Sequence, residues 1–136
     1  MNGLENKKIL VVEDEELSRV NLERTLRKEG YEVIGVENGL KAIELLKKEK
    51  FDVILTDLKM ELADGMKVLE VTKELQPETQ VIIITGYATV ESAVKAMKQG
   101  AYYYIAKPFK LDVIREIVKE ALLRKIVMTG SHTSYA

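Results

Sequence analysis

Five short apolar segments alternate along the chain with five segments in which apolar residues recur at helical spacing. The apolar segments are rich in β-branched residues, as is typical of strands covered on both faces of a sheet. They lie at 7–12, 31–37, 51–57, 81–85 and 101–105. Helices are predicted over about 15–29, from 38 onward, and over about 65–75, 90–99 and 111–127. This strict alternation predicts an α/β domain, in which helices cover both faces of a parallel sheet.

Each predicted helix has one face that we expect to pack on the sheet, because side chains three and four positions apart lie together on a helix. The first helix is the least regular, since Leu17 and Val20 fall outside its apolar face. The residues expected to point inward are Ser18, Leu22, Thr25, Leu26, Ala42, Ile43, Leu46, Met66, Leu69, Thr72, Leu75, Val90, Ala93, Val94, Met97, Ile114, Ile117, Val118, Ala121 and Leu122.

The second and fifth apolar segments differ from the others and favour edge positions in the sheet. The second is more polar and contains Gly35, and the fifth is aromatic. With right-handed crossovers, two such strands favour a doubly wound, five-stranded, flavodoxin-like sheet in the order 2-1-3-4-5. The alternative order, 3-2-1-4-5, would bury the polar second strand. The fourth segment is the most apolar, so we expect it to lie centrally.

Length and composition indicate one globular domain. In a chain of 136 residues we place it at 7–127, with 128–136 as a disordered tail, a linker or an expression remnant. A net charge of −1 gives no electrostatic reason for binding nucleic acid or an anionic membrane. Cysteine is absent, which excludes disulfides and thiolate metal sites, and no apolar run approaches the ~20 residues of a membrane span. The N-terminus is not signal-like, so we expect a cytoplasmic protein.

Charged and hydroxyl side chains stand at the ends of four predicted strands. In chain order they are Glu13 and Asp14, Asp57, Thr85 and Lys107. Because the first and third strands are neighbours in the order 2-1-3-4-5, three carboxylates meet at the carboxyl edge of the sheet, where ligands bind in such folds. Crowded carboxylates repel unless a proton or cation lies between them. Oxygen ligands of this kind suit Mg²⁺, and the ammonium and hydroxyl could hold a phosphoryl group on an aspartate.

Each of these residues also has a simpler structural interpretation. An acidic run such as 13–16 is usually a solvated face or a favourable charge at a helix N-terminus. A single aspartate after a strand, such as Asp57, is often a helix cap or a turn former. Their coincidence at four strand ends favours the functional interpretation. His132, the only histidine, lies in the predicted tail, and we do not expect it to act as a ligand or a base.

Four short motifs at these strand ends resemble the receiver domain of two-component response regulators. They are Val11-Val-Glu-Asp-Glu15, Leu55-Thr-Asp-Leu58, Ile84-Thr-Gly86 and Ala106-Lys-Pro-Phe109. The resemblance extends over about 8–123, and the segment 85–109 is most similar to the receivers of NtrC-like transcriptional activators. Those activators usually continue into an ATPase domain and a DNA-binding domain, neither of which this sequence contains. The long last helix and patternless tail favour a fragment of a longer protein.

The resemblance implies a role for each residue that faces the phosphoryl group. Asp57 would accept that group, Thr85 would donate a hydrogen bond to it, and Lys107 would pair with its charge. Thr85 and Tyr104 would form the switch, in which the Tyr104 ring turns inward as Thr85 moves toward the phosphoryl group. The family also implies a cis peptide between Lys107 and Pro108.

The resemblance further implies a Mg²⁺ site beside the acceptor. Its protein ligands would be Glu13, Asp14, Asp57 and the backbone carbonyl of Lys59, with Asp14 the more direct ligand of the acidic pair. Glu61 departs from the family, in which proline often occupies this position. The path of the loop at Glu61 is therefore the least predictable part of the site.

The function implied is a phosphorylation-dependent signalling switch, and not an enzyme beyond self-catalysed phosphotransfer and autodephosphorylation. A sensor histidine kinase would supply the phosphoryl group. The output would be control of an effector domain, in particular transcription activation, or a phosphorylation-dependent homodimer. Direct contact with nucleic acid or membrane is not expected of this domain. The alternative is a stand-alone receiver that acts through protein–protein contacts, with no fused output domain.

Three other classes of protein remain as alternatives at this point. A metal-dependent phosphatase on a similar sheet would have a second aspartate two residues after the acceptor, where this chain has Lys59. A flavin carrier would have a loop rich in serine, threonine and glycine after the first strand, where this chain has four acids. A receiver used only as a binding module would not need every residue that takes part in phosphoryl transfer, whereas this chain has all of them.

Overall fold

The computed structural model describes residues 3–60 and 62–130, with side chains described as far as 124. The strands are β1 (Lys8–Val12), β2 (Glu32–Val36), β3 (Val53–Asp57), β4 (Gln80–Thr85) and β5 (Tyr103–Ala106). They alternate with the helices α1 (Glu16–Arg27), α2 (Gly39–Leu46), α3 (Gly65–Leu75), α4 (Val90–Lys98) and α5 (Leu111–Gly130). Within these ranges no helix combines the length and the hydropathy that a membrane span requires.

All five strands run parallel in one sheet in the order β2-β1-β3-β4-β5, which confirms the predicted order and the five predicted helices. The two edge strands, β2 and β5, are partly exposed, as their composition predicts. Strand β4 lies in the interior of the sheet, between β3 and β5, and the middle position belongs to β3, as the predicted order requires. Every residue of both strands is buried, so hydrophobicity alone does not distinguish the middle of the sheet from the position beside it.

Two hydrophobic clusters lie on opposite faces of the sheet. Helices α1 and α5 cover one face, through residues such as Leu22 and Ile114. Helices α2, α3 and α4 cover the other, through residues such as Leu46, Leu69 and Ala96. Side chains alternate between the two clusters along each interior strand, as expected for strands covered on both faces. The domain is therefore a doubly wound α/β sandwich.

Helix α4 faces the sheet with a different side from the one predicted. Val90, Val94 and Met97 are 83%, 47% and 47% exposed, whereas Ala96 is fully buried and Ala93 is half-buried. The helix lies over the short edge strand β5, where small side chains allow close contact. Periodicity shows which residues share a helix face, but it does not show which face is covered. The larger apolar residues of α4 consequently form a solvent-exposed stripe.

Two smaller differences concern helix ends. Leu75 is the last residue of α3 and is 48% exposed, although it was predicted to point inward, while Val68 is buried in its stead. Helix α5 continues to Gly130, three residues past its predicted end. Residues 131–136, most of the predicted tail, and the loop position Glu61 lie outside the described residues.

The loop that follows β3 is held at both ends by close backbone contacts to glycine. A Cβ on Gly65 would lie 2.1 Å from the carbonyl oxygen of Asp57, and a Cβ on Gly39 would lie 2.0 Å from that of Ala63. Such distances leave no room for a side chain, because the neighbouring atoms belong to the backbone. The Gly65 N–H also donates to Leu58 O at 2.8 Å. The start of α3 is thereby fixed against the end of β3.

We expect Gly65→Ala to lower the free energy of unfolding by about 2 kcal/mol, because the new methyl group would displace the backbone at Asp57. Urea denaturation measures the change. The control is Gly86→Ala, where a Cβ would meet only the Lys107 side chain at 4.0 Å. Equal stabilities of the two variants would contradict this account of the loop.

Candidate functional site

The side chains predicted at the strand ends lie together at the carboxyl edge of the sheet. They surround an open cavity of about 440 Å³. Its lining residues are Glu13, Asp14, Glu15, Asp57, Lys59, Met60, Tyr87 and Lys107. Thr85 is fully buried at the end of β4, and Tyr104 is a half-buried residue of the edge strand β5, two positions before the residue that pairs with Thr85. The structure thus brings together the acidic residues, Lys107 and Lys59, and places the predicted switch pair outside the lining of this cavity.

Lys107 joins two buried carboxylates that come from different strands. Its ammonium donates to Glu13 Oε1 at 2.6 Å and to Asp57 Oδ2 at 2.8 Å. Glu13 and Asp57 are only 3% and 7% exposed, so each needs a charged partner. The peptide between Lys107 and Pro108 is cis, as the resemblance implies. The Lys107 N–H donates to Thr85 O at 2.8 Å, which ties this segment to the end of β4.

Asp57 is oriented by the backbone that follows it. Its Oδ1 accepts hydrogen bonds from the N–H groups of Leu58 at 2.6 Å and Lys59 at 3.3 Å. Its other oxygen, Oδ2, faces Lys107 in the cavity. Neighbouring N–H groups that bind one oxygen hold the carboxylate in one orientation. The second oxygen is therefore presented toward the cavity and its cation.

The three carboxyl groups differ in their electrostatic environment. Burial alone would raise the pKa of Glu13, but the hydrogen bonds from Lys107 and from the Glu15 N–H bring that pKa below its ordinary value. The pKa of Asp14 is raised, first by partial burial and then by the adjacent Glu13 and Asp57 carboxylates. For Lys107, burial opposes the charge, yet its bonds to Asp57 and Glu13 raise the pKa above the ordinary value.

Glu13, Asp14 and Asp57 can each offer an oxygen to a shared cation. The three ligand oxygens lie within 4.8 Å of one another. Two of these side chains are buried and Asp14 is exposed, so water can reach the same point. Oxygen donors with remaining open positions are the set that Mg²⁺ takes, because this ion keeps several of its waters. The residues present fit such an ion.

Residues on two loops close the sides of the cavity and the region beneath it. The Lys59 ammonium lies 4.9 Å from the centre of the Tyr87 ring, at cation–π distance. The Tyr87 N–H donates to Thr85 Oγ1 at 3.0 Å, which satisfies that buried hydroxyl. The Tyr104 hydroxyl lies 2.5 Å from Ser92 Oγ in α4. The predicted switch pair therefore has defined partners in this state.

Sequence reasoning missed two residues that position Glu13. Ser18 donates from its hydroxyl to Glu13 Oε1 at 3.1 Å, and Arg19 donates to Glu13 O at 2.9 Å. Both lie in the first turns of α1, five and six residues after Glu13. The sequence did contain a signal for them. Polar residues stand in the first turns of a helix, on its sheet-facing side and next to a predicted acidic site. Ser18 was expected only to pack inward.

We expect Lys107→Gln to lower the free energy of unfolding by about 2 kcal/mol at pH 7 in metal-free buffer, because it leaves two buried carboxylates without a cation. Because the pKa of Glu13 is lowered in the folded state, this stabilisation is present above the ordinary carboxyl pKa. It is lost as the pH falls through the lowered pKa. Urea denaturation from pH 7 to about pH 3 measures the difference between variant and parent.

Lys41→Gln is the control, since Lys41 pairs with Glu37 on the exposed surface, where such pairs contribute below about 1 kcal/mol. A Lys107 variant as stable as the Lys41 variant at pH 7 would contradict the bridging role of Lys107.

Comparison with known proteins gives the family. A model of the response regulator receiver domain matches residues 9–119. The chain is 37% identical to sporulation initiation phosphotransferase F of Bacillus subtilis over 86% of its length, and it covers 94% of that protein. It is 38% identical over 90% of its length to the transcriptional regulatory protein ZraR of Klebsiella oxytoca, but it spans only 27% of that relative. The predicted similarity to NtrC-like activators is confirmed by such homologues.

Solved structures agree with this result. The receiver domain of the sensor histidine kinase PA1611 from Pseudomonas aeruginosa superposes with a TM-score of 0.78 at 26% identity. The match covers 86% of this chain and 98% of that one, and that structure has a magnesium ion coordinated in its active-site cleft. Sequence, sheet order and the clustered strand ends converge on one conclusion. The chain belongs to the response regulator receiver domains of two-component systems, a family of phosphoryl-accepting switches.

Proposed function

We propose that Asp57 is the residue that accepts the phosphoryl group, from a phosphohistidine on a sensor histidine kinase. The observation that carries this proposal is the position of Asp57 Oδ2, which faces the cavity 2.8 Å from the Lys107 ammonium. An oxygen of the Asp57 carboxylate attacks phosphorus as the phosphorus–nitrogen bond breaks, and the imidazole nitrogen leaves with the electron pair. The product is an aspartyl-phosphate at the end of β3.

Lys107 and Thr85 are proposed to hold the phosphoryl group after transfer. The Lys107 ammonium already lies beside Asp57, so it can follow the charge from the carboxylate to the phosphoryl oxygens. The Thr85 hydroxyl accepts a hydrogen bond from Tyr87 N–H in this state, and its own proton is available for donation. Reorientation of Thr85 toward the phosphoryl group is the local movement that couples phosphorylation of Asp57 to the rest of the domain.

Glu13, Asp14, Asp57 and the backbone carbonyl of Lys59 are proposed to hold Mg²⁺. The 4.8 Å cluster of carboxylate oxygens and the exposure of Asp14 support this ligand set. When bound, the ion supplies positive charge against the oxygens of the phosphoryl group. The magnesium ion in the related PA1611 receiver supports the same chemistry here.

The output of the switch is proposed to be control of an effector domain, with transcription activation favoured by the ZraR-like relatives. Movement of Thr85 and then Tyr104 would alter the surface formed by α4 and β5. That surface carries the exposed Val90 and Met97, which suit contact with a partner or a phosphorylation-dependent second copy. A stand-alone receiver is the second candidate, because the chain covers 94% of sporulation initiation phosphotransferase F.

We expect Asp57→Asn to abolish incorporation of radiolabel from phosphorylated kinase and from acetyl phosphate, because the amide cannot form the acyl phosphate. Asp112→Asn is the control, since this exposed carboxylate in α5 pairs only locally with Arg115. Acid- and base-lability of the label identifies the acyl phosphate in the parent protein. Undiminished labelling of the Asp57→Asn variant would refute the assignment of Asp57 as the acceptor.

We expect Asp14→Asn to weaken Mg²⁺ binding by about tenfold or more, since it removes one anionic ligand from the cluster. Without metal the same change should not destabilise the fold, because it removes a carboxylate that Glu13 and Asp57 repel. Amide chemical shifts during a magnesium titration give the affinity, and thermal unfolding in chelator gives the stability. Glu91→Gln, on the exposed first turn of α4, is the control. Equal magnesium affinities in the Asp14 and Glu91 variants would remove Asp14 from the ligand set.

A further inference from the structure

The N-terminus of α4 is closed by a capping box that also binds the predicted switch residue. Thr89 Oγ1 accepts from the Ser92 N–H at 3.0 Å, and Ser92 Oγ accepts from the Thr89 N–H at 3.3 Å. The same Ser92 oxygen lies 2.5 Å from the Tyr104 hydroxyl. Ser92 also directs its hydroxyl to Thr89 O at 3.2 Å. The Thr89 hydroxyl lies 2.9 Å from the same Ser92 oxygen, which therefore contacts both the cap residue and Tyr104.

Tyr104 and Thr85 lie on the same side of the sheet on adjacent strands. In the β4–β5 register Ile83 pairs with Tyr104, and Thr85 pairs with Ala106. Alternate residues of a strand share a face, so Ile83 and Thr85 point to the side occupied by α2, α3 and α4. Tyr104 packs on that same side, as a diagonal neighbour of Thr85. A displacement of the Thr85 side chain therefore changes the space beside the Tyr104 ring.

We propose that Ser92 is a positioning residue that holds Tyr104 in its resting place, and that phosphorylation must break the Tyr104–Ser92 hydrogen bond before the ring can turn inward. This inference rests on the proposed function of Asp57 and Thr85. Tyr104 is half-buried and packs against the core with its ring, while its hydroxyl is held by Ser92 at the start of α4. The hydrogen bond stabilises only the resting arrangement. Its free energy is therefore part of the cost of converting the domain to the phosphorylated arrangement.

Release of Tyr104 also changes the start of α4. Ser92 Oγ belongs to both the capping box and the Tyr104 contact, so the first turn of the helix loses a side-chain anchor to β5 when the ring leaves. Val90, which is 83% exposed, lies in this turn. Through the shared oxygen Ser92 Oγ, the hydrogen bond thus links a movement of Thr85, at the end of β4, to the exposed stripe of α4.

The test is a double-mutant cycle measured with beryllofluoride and Mg²⁺, a stable mimic of the phosphoryl group on aspartate. Tyr104→Phe removes the hydroxyl and leaves the capping box, and Ser92→Ala removes both contacts. Each single variant should bind beryllofluoride about fivefold more tightly than the parent, because the resting state loses one hydrogen bond. The double variant should gain little more, since both changes remove the same bond.

Two controls separate the hydrogen bond from helix stability. Asn38→Ala removes the side-chain cap of α2, which involves neither Ser92 nor Tyr104, and should lower the melting temperature but change beryllofluoride affinity by less than about twofold. Ser92→Thr keeps a hydroxyl at the same position and should restore affinity to within about twofold of the parent. Amide chemical shifts during the titration report affinity, and thermal unfolding reports stability.

The outcomes distinguish this inference from the proposed function. Parent protein that binds no beryllofluoride and incorporates no label would overturn both. Parent protein that does bind it, with unchanged or weaker affinity in Tyr104→Phe and Ser92→Ala, would overturn the role of Ser92 alone. Fully additive gains in the double variant would show that the two side chains act separately, and would also overturn it.

Discussion

One ammonium group connects the three parts of the chain that build the site. Lys107 follows β5, Glu13 follows β1, and Asp57 ends β3. Their short contacts, at 2.6 and 2.8 Å, bring two nearly buried carboxylates within reach of one cation. Two buried anions without it would repel each other and lose their solvation. Glu13 Oε1 and Asp57 Oδ2 both lie beside the cavity and both bind this one cation.

The fold and the residues that form the site were predictable, because both follow from the pattern of apolar and polar residues along the chain. Apolar segments that alternate with segments of helical spacing predict a parallel sheet, and the polarity of 31–37 favours an edge position for that strand. Once the order of strands is known, the carboxyl ends converge, and Glu13, Asp57 and Lys107 must lie near one another. These inferences need only the order and the direction of the strands. They do not need the positions of individual atoms.

What remained hidden depends on contact geometry. The exposed stripe of α4 could not be predicted, because Ala96 and the residues opposite it are equally compatible with helical periodicity. The sequence predicted a helix from about residue 65, but not that Gly65 lies against the backbone of Asp57. The bond between Ser92 and Tyr104 joins residues twelve positions apart on different elements, and no local pattern marks it. Side-chain partners of this kind require the packed structure.

Among the residues that the structure describes, no buried side-chain nitrogen or oxygen lacks a hydrogen-bond partner. Thr85 has Tyr87, Tyr104 has Ser92, and Asp57 has Lys107. The resting form is consequently a complete structure in its own right, not an unfinished version of the phosphorylated one. The proposed switch would exchange these bonds for others made to the phosphoryl group. A protein that contacts one of the two proposed forms more favourably than the other would shift the balance toward that form.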